Sequence, residues 1–188
     1  MAEVLARAFY DDPPMSWILP HDASRARRLS RMFATILRYE ALPAGVVDVA
    51  VSAERVVGVA IWFSPDAWRP APLLQQLRSL PSYLRALGRR LGPASNLMAA
   101  AVRAHPAEPH WYLAYIGVDP AAQGHGAGSA LLRSRLAQLD AQSQASFLES
   151  SKPGNIPLYE HFGYVVSGEP HAPDGCPLIT PMWRGASV

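Results

Sequence analysis

The residues Gln123-Gly124-His125-Gly126-Ala127-Gly128-Ser129 are the stretch of this chain whose types and spacing speak most directly of chemistry. Three glycines at alternate positions let a backbone adopt positive φ and approach a bulky ligand. The residues that follow read as a helix, with Leu132, Leu136 and Leu139 on one face and Leu131 beside them. A helix's first turn offers unpaired N–H groups and the positive end of a dipole. Loop and helix together make an anion site, most naturally for a phosphate or pyrophosphate. A P-loop is excluded, because no lysine closes the glycine run. A dinucleotide fingerprint requires glycine or alanine three residues after its second glycine. That position is Ser129 in one register and Leu131 in the other, so both fail. Glu149 stands roughly where a ribose-binding acid would, a coincidence once the registers fail.

The elements that must hold this loop read clearly on both sides. Trp111 to Val118 is an almost wholly apolar run, expected as a strand buried on both faces. Asp119-Pro120 ends it, since proline cannot continue a ladder. Earlier in the chain, Ala2 to Phe9 is a short helix stopped by Asp11-Asp12-Pro13-Pro14, and Met15 to Pro20 is an apolar connector. Ala23 to Glu40 is a longer helix with Leu29, Met32, Phe33, Ile36 and Leu37 as its stripe. Its arginines, Arg25, Arg27, Arg28 and Arg31, read as a solvated face. Val46 to Val51 and Val56 to Phe63 form a hairpin. Leu73 to Leu91 and Ala94 to His105 are helices split at Gly92-Pro93, the second apolar on its inner side. After the glycine-loop helix come a strand (Ser146 to Glu149), a short helix near Pro157 to Phe162, a strand from Tyr164 to Ser167, and a last strand from Leu178 to Trp183.

With 188 residues and 49% hydrophobic content, the chain suits one domain, 1–188, with a real core. A net charge of +2 is too small to argue for nucleic acid. The one cysteine, Cys176, excludes an internal disulfide framework and fits a reducing compartment. No secretory signal and no run of 18 apolar residues is seen, so the expectation is a cytoplasmic protein without a membrane partner. No His, Cys, Asp and Glu cluster has metal spacing, so no metal is expected.

The spacing Gln123, Gly126, Gly128, placed after a Val-Asp-Pro strand end and before a leucine-striped helix, resembles the acyl-CoA signature of the GNAT superfamily of N-acetyltransferases. A second block, Phe147-Leu148-Glu149-Ser150-Ser151 followed by Asn155-Ile156-Pro157-Leu158-Tyr159-Glu160-His161-Phe162-Gly163-Tyr164, is similar to that superfamily's fifth strand and the segment after it. The residues Ala8-Phe9 with Asp12-Pro13, Trp62-Phe63-Ser64-Pro65 and His110-Trp111-Tyr112-Leu113 resemble the branch containing puromycin N-acetyltransferase.

The resemblance implies an α/β (α+β) fold. It has a mixed, mostly antiparallel central sheet splayed at the acetyl-CoA site, with helices on both faces. An acetyl-CoA core would span about 110–166 and a helical insert about 71–105. The superfamily's usual first strand has no counterpart here, since the sequence opens inside what reads as the first helix. The resemblance further implies acetyl-CoA as cosubstrate, its pantetheine arm pairing with Ile116, Gly117 and Val118 and touching Asn155. Its pyrophosphate would lie on Gln123, Gly124, His125, Gly126, Ala127, Gly128 and Ser129. Gly117, inside a strand, fits a bulge or a close ligand approach. Tyr159 is the expected general acid, because a phenol of pKa about 10 is protonated at neutral pH and can match a thiolate leaving group. Glu149 is the expected base, with His110 and Tyr115 as alternatives. The acceptor is a small amine, with a peptide amine or a non-catalytic acyl-CoA sensor as alternatives. A homodimer is possible.

Overall fold

The computed structural model describes residues 1–68 and 72–186. Six strands form one sheet in the order β1-β2-β3-β4-β6-β5: β1 (Val46–Ser52), β2 (Arg55–Phe63), β3 (Trp111–Val118), β4 (Ser146–Ser150), β5 (Val165–Val166) and β6 (Thr180–Arg184). Every neighbouring pair is antiparallel except β3 and β4. The β1–β2 hairpin turns at Ala53 and Glu54, both at positive φ, which suits the right-handed twist of the flanking strands.

Helices cover both faces. On one lie α1 (Ala2–Ala8), α2 (Pro13–Ile18) and α3 (Arg25–Ile36), with Leu5, Ile18, Leu29, Phe33, Ile61 and Phe147 among the core they share with the sheet. On the other, α7 (Ala127–Ala141) lays Leu131, Leu132, Leu136 and Leu139 against Ala60, Trp62, Leu113 and Leu148. The stripe expected of this helix is the one buried, and the sheet alternates its residues between the two clusters with period two. Among the described residues no helix is long and apolar enough to cross a membrane.

Several elements depart from their sequence expectation. Met15 to Pro20 is not a connector: Pro13–Ile18 is helix α2, because Asp12 caps it through Met15 N–H at 3.1 Å and proline suits the first helical positions. Arg25 is not on a solvated face. It is fully buried, and its guanidinium donates to the Tyr10 and Met15 carbonyls and to Ser16 Oγ, tying α3 to the turn between α1 and α2. Arg28 likewise donates to the Ala86 and Leu87 carbonyls. Helix α3 runs on through a π-helical turn (Leu37–Ala41) into a last short turn, α4 (Leu42–Ala44). The insert breaks at Gly88, at φ 54, and not at Gly92-Pro93. It forms α5 (Leu73–Leu87), a 3-10 turn (Gly88–Arg90) and α6 (Leu91–Ala104). Position 71, where the insert was expected to start, lies outside the described residues. Of α6, Ala100 is buried, and Leu91, Ala94 and Leu97 are half-buried against the core, the apolar inner side expected of it. β3 is not buried on both faces throughout: Ala114, Tyr115 and Ile116 are half-buried, where β4 has left it.

Candidate active site

The opening in the sheet is built by a short ladder and a bulge. β3 and β4 pair only at Trp111↔Ser146, Tyr112↔Phe147 and Leu113↔Leu148. On its other edge β3 pairs with β2 to its end, but between Leu113↔Trp62 and Tyr115↔Ile61 the residue Ala114 has no opposite number. Such a bulge bends a strand and increases its twist. It falls where the β3–β4 ladder stops, so from Ala114 to Val118 the edge of β3 that faced β4 carries no strand among the described residues. The bulge expected near Gly117 is therefore three residues earlier. Gly117 is required for another reason: a Cβ there would lie 2.8 Å from Ala8 Cβ and 3.2 Å from Leu5 Cδ2. The missing side chain admits α1, not a ligand.

At the end of β3 the chain is locked into the loop. Asp119 N–H donates to the Val57 carbonyl at 2.8 Å, its carboxylate accepts from Ala121 N–H at 3.2 Å, and Arg7 donates to it from α1 at 2.9 and 2.6 Å. Gln123 does not reach outward; its amide donates to the Val118 carbonyl at 3.1 Å. His125 is exposed, with Nδ1 2.8 Å from the Gln123 carbonyl. Gly124 and Gly126 sit at φ 77 and 81, and an added Cβ would meet nothing within 4 Å at either. Backbone conformation, not space, selects glycine there. Gly126 opens α7, and no side chain among the described residues caps that helix. The N–H groups of Ala127, Gly128 and Ser129 are therefore free for an anion, a fit to a pyrophosphate.

Ionisable groups line the opening from both faces. Tyr159, on α8 (Ile156–His161), is buried in the cluster that α7 builds, 6.2 Å from Tyr164 by ring centroid. Burial, helped by the negative charge of Asp12, pushes its phenol up to about 12. Asn155 precedes α8 and is exposed. Glu149 shares the opposite face with Phe147. Both of its oxygens are engaged: Tyr112 Oη donates to one at 2.9 Å and His171 Nε2 to the other at 2.6 Å. The bond to Glu149 raises the His171 imidazole above its ordinary value, against the effect of burial. Asp12 is buried too; burial raises its carboxyl, opposed by hydrogen bonds from Ser151 Oγ, just after β4, and Met15 N–H. Burial first, then the charges of Glu40, Asp12 and Glu149, push up the Tyr115 phenol. Glu40 stands on the π-helical turn, a feature frequent at functional sites, and accepts from Tyr83 of α5.

The structure thus sets Glu149 on β4 and Ile116 to Val118 on β3 where the two strands no longer pair, with the glycine loop following Val118 and Tyr159 in the cluster under α7. His110, one of the two alternative bases, stands at the paired end of β3, its Nε2 2.8 Å from His105 Nε2 and its Nδ1 2.5 Å from the Glu108 carbonyl; Tyr115, the other, stands on the stretch of β3 that β4 does not pair. His171, Tyr112, Asp12 and Glu40 have no role at the site in the sequence reading. Asp12 carried a usable signal, since Asp-Pro-Pro is a helix start. His171 lies in an irregular loop held by one bridge to Ile179, and no spacing betrays it.

Comparison with known proteins adds a family. A model of the acetyltransferase (GNAT) family matches residues 6–164. The chain is 29% identical to an uncharacterized N-acetyltransferase of Schizosaccharomyces pombe over 87% of its length and 69% of that protein. A crystal structure from Corynebacterium glutamicum, described as histone acetyltransferase HPA2 and related acetyltransferase, is 29% identical. It superposes with a TM-score of 0.75, covering 100% of this chain and 90% of the other. The PaiA N-acetyltransferase of Thermoplasma acidophilum, solved in complex with coenzyme A, shares the fold at a TM-score of 0.53 and 11% identity, covering 98% and 89%.

Proposed function

The chain belongs to the acetyltransferase (GNAT) family and is an N-acetyltransferase; from that premise we propose that it moves the acetyl group of acetyl-CoA to a primary amine of a small molecule, by direct attack on the thioester. The observation that carries this reading is the conjunction of an open β3 edge with an uncapped α7 N-terminus. Residues 1–188 act as one domain in it. The pantetheine arm adds to the edge at Ile116, Gly117 and Val118 as an extra strand does, and Asn155 supports it. The N–H groups between Gln123, Gly124, His125, Gly126, Ala127, Gly128 and Ser129 hold the pyrophosphate. A backbone N–H at the β3 edge polarises the thioester carbonyl as charge develops on its oxygen.

The two titratable residues divide the proton work across the sheet. Tyr159 stays protonated at neutral pH and gives its proton to the leaving sulfur. Glu149 takes a proton from the bound ammonium, directly or through one water, so that the neutral amine attacks, while Tyr112 and His171 fix the carboxylate's orientation; the second amine proton goes to the Tyr159 phenolate as the amide forms. The carboxyl groups of buried Asp12 and of half-buried Glu40 and Glu149 suit a cationic acceptor. The resemblance to the puromycin N-acetyltransferase branch supports a small acceptor. The description of the Corynebacterium structure supports the second reading, a peptide amine.

A free-thiol assay on acetyl-CoA with a panel of small amines and basic peptides tests the proposal. Thiol release with a small amine and none with peptides supports it. Release with peptides alone transfers the assignment to the second reading, and acetyl-CoA binding without release from any amine overturns the catalytic one.

A further inference from the structure

Helix α5 has apolar residues on both of its sides, but only one side has a partner among the described residues. Its inner side packs on α3, with Ser79, Ala86 and Leu87 buried and Tyr83 bonded to Glu40. Its outer side carries five leucines: Leu73, Leu74, Leu77, Leu80 and Leu84 are 72%, 59%, 57%, 41% and 49% exposed. Contiguous apolar surface of this kind on a folded chain marks an interaction site.

The spacing says what kind. Leu73, Leu77, Leu80 and Leu84 alternate steps of four and three, the seam of a coiled coil. Read backwards the steps are the same, four, three and four. Two copies of the helix laid antiparallel therefore match layer for layer: Leu73 meets the partner's Leu84, and Leu77 meets the partner's Leu80. Such a patch is complementary to itself, the requirement for a two-fold interface. The flanks agree. Leu74 and Pro81 border the seam on one side, Gln76 and Tyr83 on the other, and none is charged. Arg78 and Arg85 stand further round the helix, so like charges do not meet across the seam. A coil with a different chain would need flanking charges of chosen sign to select its partner, and from residue 67 to 107 the sequence has no Asp or Glu at all.

We infer that α5 is the interface of a homodimer whose two-fold axis passes between the levels of Leu77 and Leu80. The helix that dimerises is also the one that holds Tyr83 against Glu40, so the dimer steadies the wall of the opening beside Tyr115.

Light scattering on a sizing column tests the pairing. The wild type should elute at twice 20.4 kDa, and the Leu77→Glu, Leu80→Glu double variant at the monomer mass with unchanged circular dichroism. The register is tested in a Cys176→Ser background. A mixture of Leu73→Cys and Leu84→Cys chains should form a disulfide-linked dimer, and either variant alone should not. A monomeric wild type overturns the inference, as does a dimer that survives both glutamates. Cross-linking of either cysteine variant with itself overturns the antiparallel register. A monomer that binds anionic vesicles through the same leucines overturns the choice of partner.

Discussion

The two sides of the opening are made of different materials. On the α7 side the site is, Tyr159 apart, backbone: a strand edge beside one bulged residue, two glycines at positive φ and an uncapped helix start. On the α1 to α3 side it is side chains from distant parts of the chain. Glu149 meets Tyr112 and His171, Asp12 meets Ser151, Glu40 meets Tyr83, and Arg25 holds the turn above them. A backbone site takes a constant group, the phosphates and amide arm of a cosubstrate. A side-chain site can be redrawn for each acceptor without disturbing the first.

That contrast can be broken from either side. The largest effect should come from Tyr159→Phe, which removes the proposed acid and leaves the backbone cradle. Turnover should fall by about 10²- to 10⁴-fold with acetyl-CoA binding unchanged. Steady-state kinetics beside a calorimetric titration check this, and equal losses of both would place Tyr159 in packing alone. Arg25→Ala takes the guanidinium from the Tyr10 carbonyl and leaves the Met15 carbonyl only Leu19 N–H at 2.8 Å, and should cost about 1–3 kcal/mol in urea unfolding. A cost under about 0.5 kcal/mol is what a solvated arginine would give. Gly117→Ala drives a methyl into Ala8 and should cost about 1–3 kcal/mol by overpacking. If acetyl-CoA binding weakened while stability held, the glycine would serve the ligand after all.

The smallest effect is a pH dependence. His171 is raised in the folded state by Glu149. Its contribution to stability is fully present below the unfolded imidazole value, about 6.5, and is lost as pH climbs through the raised folded value. Melting temperatures stepped across that window should fall in the wild type. The fall should be missing from His171→Gln, and a fall of the same size in that variant would mean another group titrates.

The same division decides what was legible in the sequence. The α7 half is local: strand, Asp-Pro stop, glycine loop and leucine stripe follow one another within 30 residues, and each has a periodicity or a turn residue to announce it. Tyr159 and Glu149 are expected from the resemblance alone, which no periodicity replaces. The other half is assembled by tertiary contacts between residues 12 and 151, 40 and 83, 149 and 171. No sequence period encodes such pairs. Arg25 shows the limit most plainly, because a run of four arginines reads as a wet face until the turn that buries one of them is known.

The central claim is that the uncapped start of α7 receives the phosphates of acetyl-CoA, and Gly128→Glu tests it with two signs at once. A carboxylate in the first turn should leave the unliganded helix as stable or about 0.3–1 kcal/mol more so, while repelling the pyrophosphate. Thermal unfolding with acetyl-CoA at one hundred times its dissociation constant should stabilise the wild type by about 2.7 kcal/mol. The variant should melt no lower than the wild type when free and show no shift with the ligand. A shift retained in Gly128→Glu, or no shift in the wild type, would contradict the account.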